Sequence, residues 1–320
     1  MPENKQPRVK TNEVTISGYL KENNLVVQYS PKGGSAIKGK IIIAVDELNS
    51  ILVNFYISDK QWSGEPSKDY EKILNLLPEH TRSIAGYLSE NSGATFAEAI
   101  KAADKVWVRG SFDEFTRLDE DGKEAVSISV KAFSARIVKE STETFKPYTD
   151  FKVRTYIDEM TDELDASNKP TGRILITGLI PKKSGVMVKI PFVAPATDGI
   201  AELIKAKYAV GNTVDIEGNL VNVKETIEEE ATVDTGYFGS YSKKQHFTKI
   251  INERVITGGC APLTEGMEGA ISKTEVKIGL AKRKEKIEDN TSRSNSRSSG
   301  TSQNASFSTF KSKSEDIDVF

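Results

Sequence analysis

Two stretches of this chain carry the same short pattern: Val106-x-Val108-x-Gly110-x-Phe112 and, in the second half, Val214-x-Ile216-x-Gly218-x-Leu220. Apolar residues at every second position mark a strand with one buried face. A glycine at the same step of each pleat marks a bulge or tight bend, the device that turns a corner in a small barrel. A chain that does this twice is constrained to contain two related β units.

The flanking segments support that reading. Ahead of the first pattern lie a strand at Val14–Leu20, a turn-rich loop at Tyr29–Lys40, and strands at Lys40–Val45 and Ile51–Ile57 that form a hairpin around Asp46–Ser50. Helical segments follow, one with Tyr70, Ile73, Leu74 and Leu77 on one face. Another opens on the capping box Thr95-Phe-Ala-Glu98, with Phe96, Ala99, Ile100 and Ala103 inward. After the patterned strand comes Ala125–Phe133, joined to it through the Asp121-Gly122 turn. The order is three strands, helix, two strands.

It recurs with a strand at Lys152–Ile157, a hairpin of Gly172–Ile180 and Val186–Phe192, and a helix capped by Thr197 or Asp198 with Ile200, Leu203, Ile204 and Tyr208 inward. The second pattern and a final strand at about Phe247–Thr257 complete it. This is the plan of the OB-fold, a five-stranded Greek-key barrel. The expected class is therefore mainly β: two tandem OB-folds at 14–145 and 150–265, a flexible arm at 1–13, and a disordered C-terminal tail. Two unrelated α+β domains would leave the shared order and glycine as coincidence.

Chemistry has little to work with. The chain holds one cysteine, Cys260, and two histidines, His80 and His246, without metal-ligand spacing, P-loop or dinucleotide fingerprint. Neither a metal nor a cofactor is expected. The acidic run Asp158, Glu159, Asp162, Glu163 and Asp165 lacks the apolar surroundings that would split two carboxyl pKa values, so it reads as a solvated face and the chain as a non-enzyme. The polar start and the absence of a long apolar run point to a cytoplasmic protein without a membrane partner. A formal net charge of −2 means that any polyanion-binding surface must be local.

Such a surface needs cations for phosphates and aromatic faces for bases. In an OB-fold these sit on strands two and three and on the loops joining strands one to two and four to five. The first copy offers Lys32, Lys38 and Lys40 in one loop and Phe115 and Arg117 in the other. Trp107, Arg109, Lys131 and Phe133 alternate out of phase with the apolar faces of their strands; Trp107 could equally cover a barrel end. The second copy offers a glycine-rich stacking loop with Tyr237, Phe238 and Tyr241 followed by Lys243 and Lys244, and Lys182 and Lys183 on its hairpin turn. Single-stranded DNA is the expected partner; an RNA-binding module and a structural or adaptor protein of a virion are the alternatives.

Residues 266–313 are basic and rich in Ser and Asn, a composition that cannot offset the entropy of ordering and reads as a disordered linker. It ends in the abruptly acidic tip at 314–320, where Glu315, Asp316, Ile317, Asp318 and Val319 precede a terminal Phe320 bearing its own carboxylate. This arrangement resembles the tails of bacterial and phage single-stranded DNA-binding proteins, although that family carries Pro where Val319 stands. The resemblance implies coating of single strands in replication, recombination or repair, with the tip docking proteins of those processes. Bacterial members have one OB-fold per chain and form tetramers, so two copies here imply a monomer or homodimer. The divergent barrels suggest a phage protein at work in a bacterial host cell.

Overall fold

The computed structural model describes residues 12–31, 33–61, 63–119, 121–234 and 240–298, with backbone only for 225–249 and 293–298. Eleven strands are continuous in one hydrogen-bonded sheet that closes on itself twice. The first barrel uses β1 (Asn12–Asn23), β3 (Ser35–Ala44), β4 (Ser50–Ser58), β5 (Lys105–Leu118) and β6 (Glu124–Val138), with the short β2 (Val26–Tyr29) beside β3. β1 pairs antiparallel with both β3 and β5, and the ring closes where β4 runs parallel to β6 at Val53 and Val130. The second barrel repeats this with β7 (Tyr148–Leu164), β8 (Pro170–Pro181), β9 (Met187–Ala194), β10 (Thr213–Asp234) and β11 (Ser240–Gly259). Its parallel closure is β9 to β11 at Val193 and Val255. Both are OB-fold barrels.

Helices fill the gap between the third and fourth strands of each barrel. The first has α1 (Lys68–Leu74), α2 (Ile84–Glu90) and α3 (Phe96–Ala102), the last opening on the Thr95–Glu98 capping box. The second has α4 (Ile200–Lys207), which starts from Gly199 in the left-handed region rather than from a Thr197 or Asp198 cap and leaves Leu203 exposed.

The repeated glycines do what the pattern requires. The β5–β6 register slips between Arg109 and Gly110, and the β10–β11 register slips between Glu217 and Gly218. A Cβ on Gly110 would lie 2.5 Å from the Lys131 carbonyl oxygen, and one on Gly218 only 2.0 Å from that of Val255. No side chain fits either corner.

Superposing the two patterns equates Val14 with Phe151 and Ile16 with Val153 through their partners on the fourth strands. β1 and β7 pair antiparallel across the barrels with Val14 opposite Phe151, so equivalent residues face each other on a pseudo-twofold axis. The core crosses this seam. Phe112 of the first barrel lies 5.7 Å from Phe151 and 6.3 Å from Phe192 of the second, edge to face. The hairpin turns swap in the same symmetric way. Asn49 bonds Leu220 and Asn222 on β10, while Lys182 pairs with Asp113 on β5 and the Lys189 amide donates to Glu114.

The sequence differs from the structure in length more than in order. The hairpins β5–β6 and β10–β11 run well past the barrels, because alternation continues there in polar form. Residues 228–234 and 240–244, expected in a loop, are paired strand. Most of the expected linker from 273 onward is α5 (Lys273–Ser298). α5 opens on a capping box, with the Ser272 Oγ accepting from the Glu275 amide (3.2 Å) and the Ser272 amide donating to Glu275 (3.0 Å). Val276 and Leu280 pack beside Leu179 and Met187 of the second barrel. One turn on, the buried Arg283 bonds Glu114 and Glu124 of the first barrel. Asn290 and Thr291 then bond the backbone of Thr116 and Leu118. The helix is stabilised by tertiary contacts with both barrels, which its low apolar content does not reveal.

Candidate nucleic-acid interface

Strand β5 reads inward at Val106, Val108 and Phe112 and outward at Trp107, Arg109, Ser111, Asp113, Phe115 and Arg117. On the neighbouring β6, Lys131, Phe133 and Arg136 point outward; on β4, Leu52, Asn54 and Tyr56; on β3, Lys38 and Lys40. The register sets these side by side. Trp107 lies opposite Arg136, Lys131 beside Asn54, and Tyr56 opposite Lys38.

The outcome is a band of rings with cations over them. The Arg136 guanidinium sits 4.9 Å from the centre of the Trp107 ring, and that of Arg109 sits 5.8 Å from Phe133. The Tyr56 ring has Lys38 at 5.0 Å and Lys131 at 6.0 Å. Phe133 is 41% exposed and Tyr56 55%, which leaves ring faces open to solvent. Trp107 is half-buried. Among the described residues, Lys38, Lys40, Lys131 and Arg136 have no carboxylate in ion-pair range. Arg109 is held from behind by the Glu13 carboxylate in two hydrogen bonds, 2.8 and 2.6 Å, which fixes its plane. Burial raises the Glu13 pKa, partly offset by Lys152.

The other sequence candidates fall elsewhere. Lys38 and Lys40 are on β3 and not in a loop, since β3 begins at Ser35. Phe115 and Arg117 are likewise on β5, both exposed, on the outward row of Trp107. Lys182, at the β8–β9 turn, is paired to Asp113, so its charge is engaged between the barrels; Lys183 beside it is exposed. Lys32, Tyr237 and Phe238 lie outside the described residues, as do Glu315, Asp316, Ile317, Asp318, Val319 and Phe320. Tyr241, Lys243 and Lys244 are on β11, with backbone alone described. Tyr56 and Arg136 were missed. Both were legible as the polar-phase residues of alternating strands, Phe55-Tyr56-Ile57 and Ala135-Arg136-Ile137.

The acidic run is on β7 except for Asp165 just past its end; Asp158 pairs with Lys189, Asp162 with Lys205 and Glu163 with Arg173. It neutralises three of the second barrel's own cations. Among the described residues no helix is long and apolar enough to cross a membrane.

A family model described as YorF matches residues 10–293. No curated protein sequence matches. Among solved structures, a deletion mutant of the single-stranded DNA-binding protein from Thermus aquaticus is 12% identical, with a TM-score of 0.42 over 81% of this chain and 97% of its own. The wild-type Thermus aquaticus protein is 11% identical, with a TM-score of 0.42 over 81% and 96%. A replication protein A heterotrimer bound to single-stranded DNA is 10% identical, with a TM-score of 0.20 over 87% and 70%.

Proposed function

The chain belongs to the YorF family, and we propose that it binds single-stranded DNA without regard to sequence, as a binding protein and not an enzyme. The observation that carries this reading is the outward band of Trp107, Phe133 and Tyr56, each with a cation within 6.0 Å of its ring. Every base has a π face, so rings in a row accept any sequence, and the cations between them meet the phosphates that connect successive bases. Exposed rings also cost solvation unless something covers them. The band lies on a sheet face, which unstacked bases can reach and bases inside a duplex cannot.

The acidic tip, Glu315 to Phe320, is proposed to recruit a protein of replication, recombination or repair, on the strength of its composition. A pull-down from the native cell with intact, Phe320→Ala and tip-deleted protein tests it. Identical captured proteins in all three lanes would reduce the tip to a solubilising end.

Strand binding is tested by titrating labelled oligo-dT, and a duplex of equal length, at several salt concentrations. Tight binding to the single strand should weaken with salt by roughly 0.7 in log–log slope per phosphate contacted. Preference for duplex, or affinity flat in salt, would sink the proposal. A ribo-oligomer competing as well as oligo-dT would move the assignment to RNA.

A further inference from the structure

Arg254 breaks with its counterpart in the first barrel. Counting from the glycines, Arg254 on β11 is equivalent to Val130 on β6, a core residue. Arg254 is only 8% exposed, against 4% for Val130. Its guanidinium donates to the Asn252 carbonyl (3.3 Å) and to Asn252 Oδ1 (2.9 Å), and among the described residues no carboxylate lies in ion-pair range. The adjacent Glu253 is bound to Arg173. Burial accordingly pulls the Arg254 pKa down to about 10, with Glu253 only partly opposing. Among the described residues Arg254 is thus a buried cation without an anion, which is costly; Arg283, also buried, has two carboxylates.

The side chain lines a cleft of about 240 Å³ between the barrels. Seven apolar residues line it, the equivalent Phe112 and Leu220 among them, and the polar lining is Arg254 with Ser127, Ser129, Asn222 and Asn252, with no carboxylate. That volume far exceeds the ~10–15 Å³ a single water needs. The cleft also continues the aromatic band. Along β4 the outward row runs from Tyr56 through Asn54 to Leu52, and along β6 from Phe133 and Lys131 to Ser129 and Ser127. Leu52, Ser129 and Ser127 are in the cleft wall. A strand stacked on the band is led into it.

We propose that the cleft is a phosphate site, in which Arg254 binds a phosphodiester of the single strand as it passes from the first barrel's face between the two barrels. This inference rests on the single-strand reading above and adds the second barrel's contribution to it. The anion supplies the charge that no carboxylate among the described residues gives the guanidinium, and the asparagines and serines can donate to its remaining oxygens.

The test compares wild type with Arg254→Met, which keeps the aliphatic stem and removes the charge, and with Arg254→Lys, which restores it. Since Arg254→Met removes an uncompensated buried charge, its thermal midpoint should not fall. Its affinity for oligo-dT should drop about tenfold, the size of one charge-assisted hydrogen-bonded contact. Its salt slope should shrink by about 0.7, with the slope recovered in Arg254→Lys. Equal affinity and slope in wild type and Arg254→Met overturn the inference, while the single-strand reading stands if Phe133→Ala still weakens binding. A second arm follows the thermal midpoint in inorganic phosphate against chloride at matched ionic strength. Stabilisation by phosphate in wild type alone, with unchanged oligo-dT binding, would make the occupant a free phosphate and overturn the strand assignment. A midpoint that falls in both variants would make Arg254 a structural residue and overturn the site.

Discussion

The two barrels share strand order, parallel closure and corner glycine, yet they use polar residues in opposite ways. Register equates Trp107, Arg109, Lys131, Phe133 and Arg136 of the first with Asp215, Glu217, Val255, Thr257 and Cys260 of the second. Across the closure it equates Lys38 and Lys40 with Arg173 and Leu175, and places Tyr56 at Pro195. The second barrel thus has carboxylates where the first has a ring and a cation. Three of its own cations are tied down: Arg154 to Asp215, Lys152 to Glu217, and Arg173 to Glu163 and Glu253. One fold can serve as a binding face or as a scaffold according to its outward row, because that row is decoupled from the core by the pleat.

The difference reverses at the seam. Glu114 of the first barrel is buried, and its counterpart in the second is the neutral Asn222. Glu114 therefore needs Arg283 of α5, which Asn222 does not. Arg283→Ala should cost about 3–5 kcal/mol of stability, since it leaves a buried carboxylate without its cation. Chemical denaturation measures it. Pairing that change with Glu114→Gln should recover most of the loss; no recovery would show that α5 is held by its apolar contacts instead.

On the outward rows the expected effects are in binding. Tyr56→Ala and Phe133→Ala should each weaken oligo-dT by roughly 1–3 kcal/mol, the worth of one stacked base, at unchanged stability. The equivalent Pro195→Ala and Thr257→Ala should bind like wild type. Equal losses on both barrels would erase the distinction between face and scaffold. The cations sharpen it further. Lys131→Gln should lower the salt slope by about 0.7 and leave stability alone. Arg173→Gln should leave the slope and cost up to about 1 kcal/mol of stability, as partly exposed ion pairs do.

Much of this was legible in the chain. Alternation located the strands, and the glycine pair located the corners, because both express backbone sterics local to a few residues. Outward placement of Trp107, Arg109, Lys131 and Phe133 followed from phase alone. What sequence could not supply was partnership. Lys182 and Arg173 read as basic residues like Lys131, and only the fold sets carboxylates against them. The α5 helix carries a readable start in Ser272–Glu275, but its stability lies in Glu114 and Glu124, distant in sequence. Arg254 was hidden for a related reason: an inward arginine on a strand looks like a break in the pattern until the barrel shows what surrounds it.

The smallest expected effect concerns pH, and it separates the Arg283–Glu124 pair from the barrel seam. The hydrogen bond from Arg283 holds the Glu124 pKa below its usual 4.5, against a smaller desolvation that raises it. Its equivalent on the second hairpin arm is Thr248, which cannot titrate. A carboxyl depressed in the folded state stabilises it at pH values above the unfolded pKa, and that contribution is lost as the pH falls through the depressed value. Glu13 and Asp150, on the paired β1 and β7, behave oppositely: burial raises both pKa values, so they favour the folded state more as they take up protons. The thermal midpoint of wild type should exceed that of Glu124→Gln above about pH 4.5. The gap should close in more acidic solution. Because Glu124 is partly exposed, water screens the pair and the gap should be small. A gap independent of pH would mean that Glu124 contributes by packing; one that widens on acidification would mean that the fold raises the Glu124 pKa and that Arg283 does not hold it down.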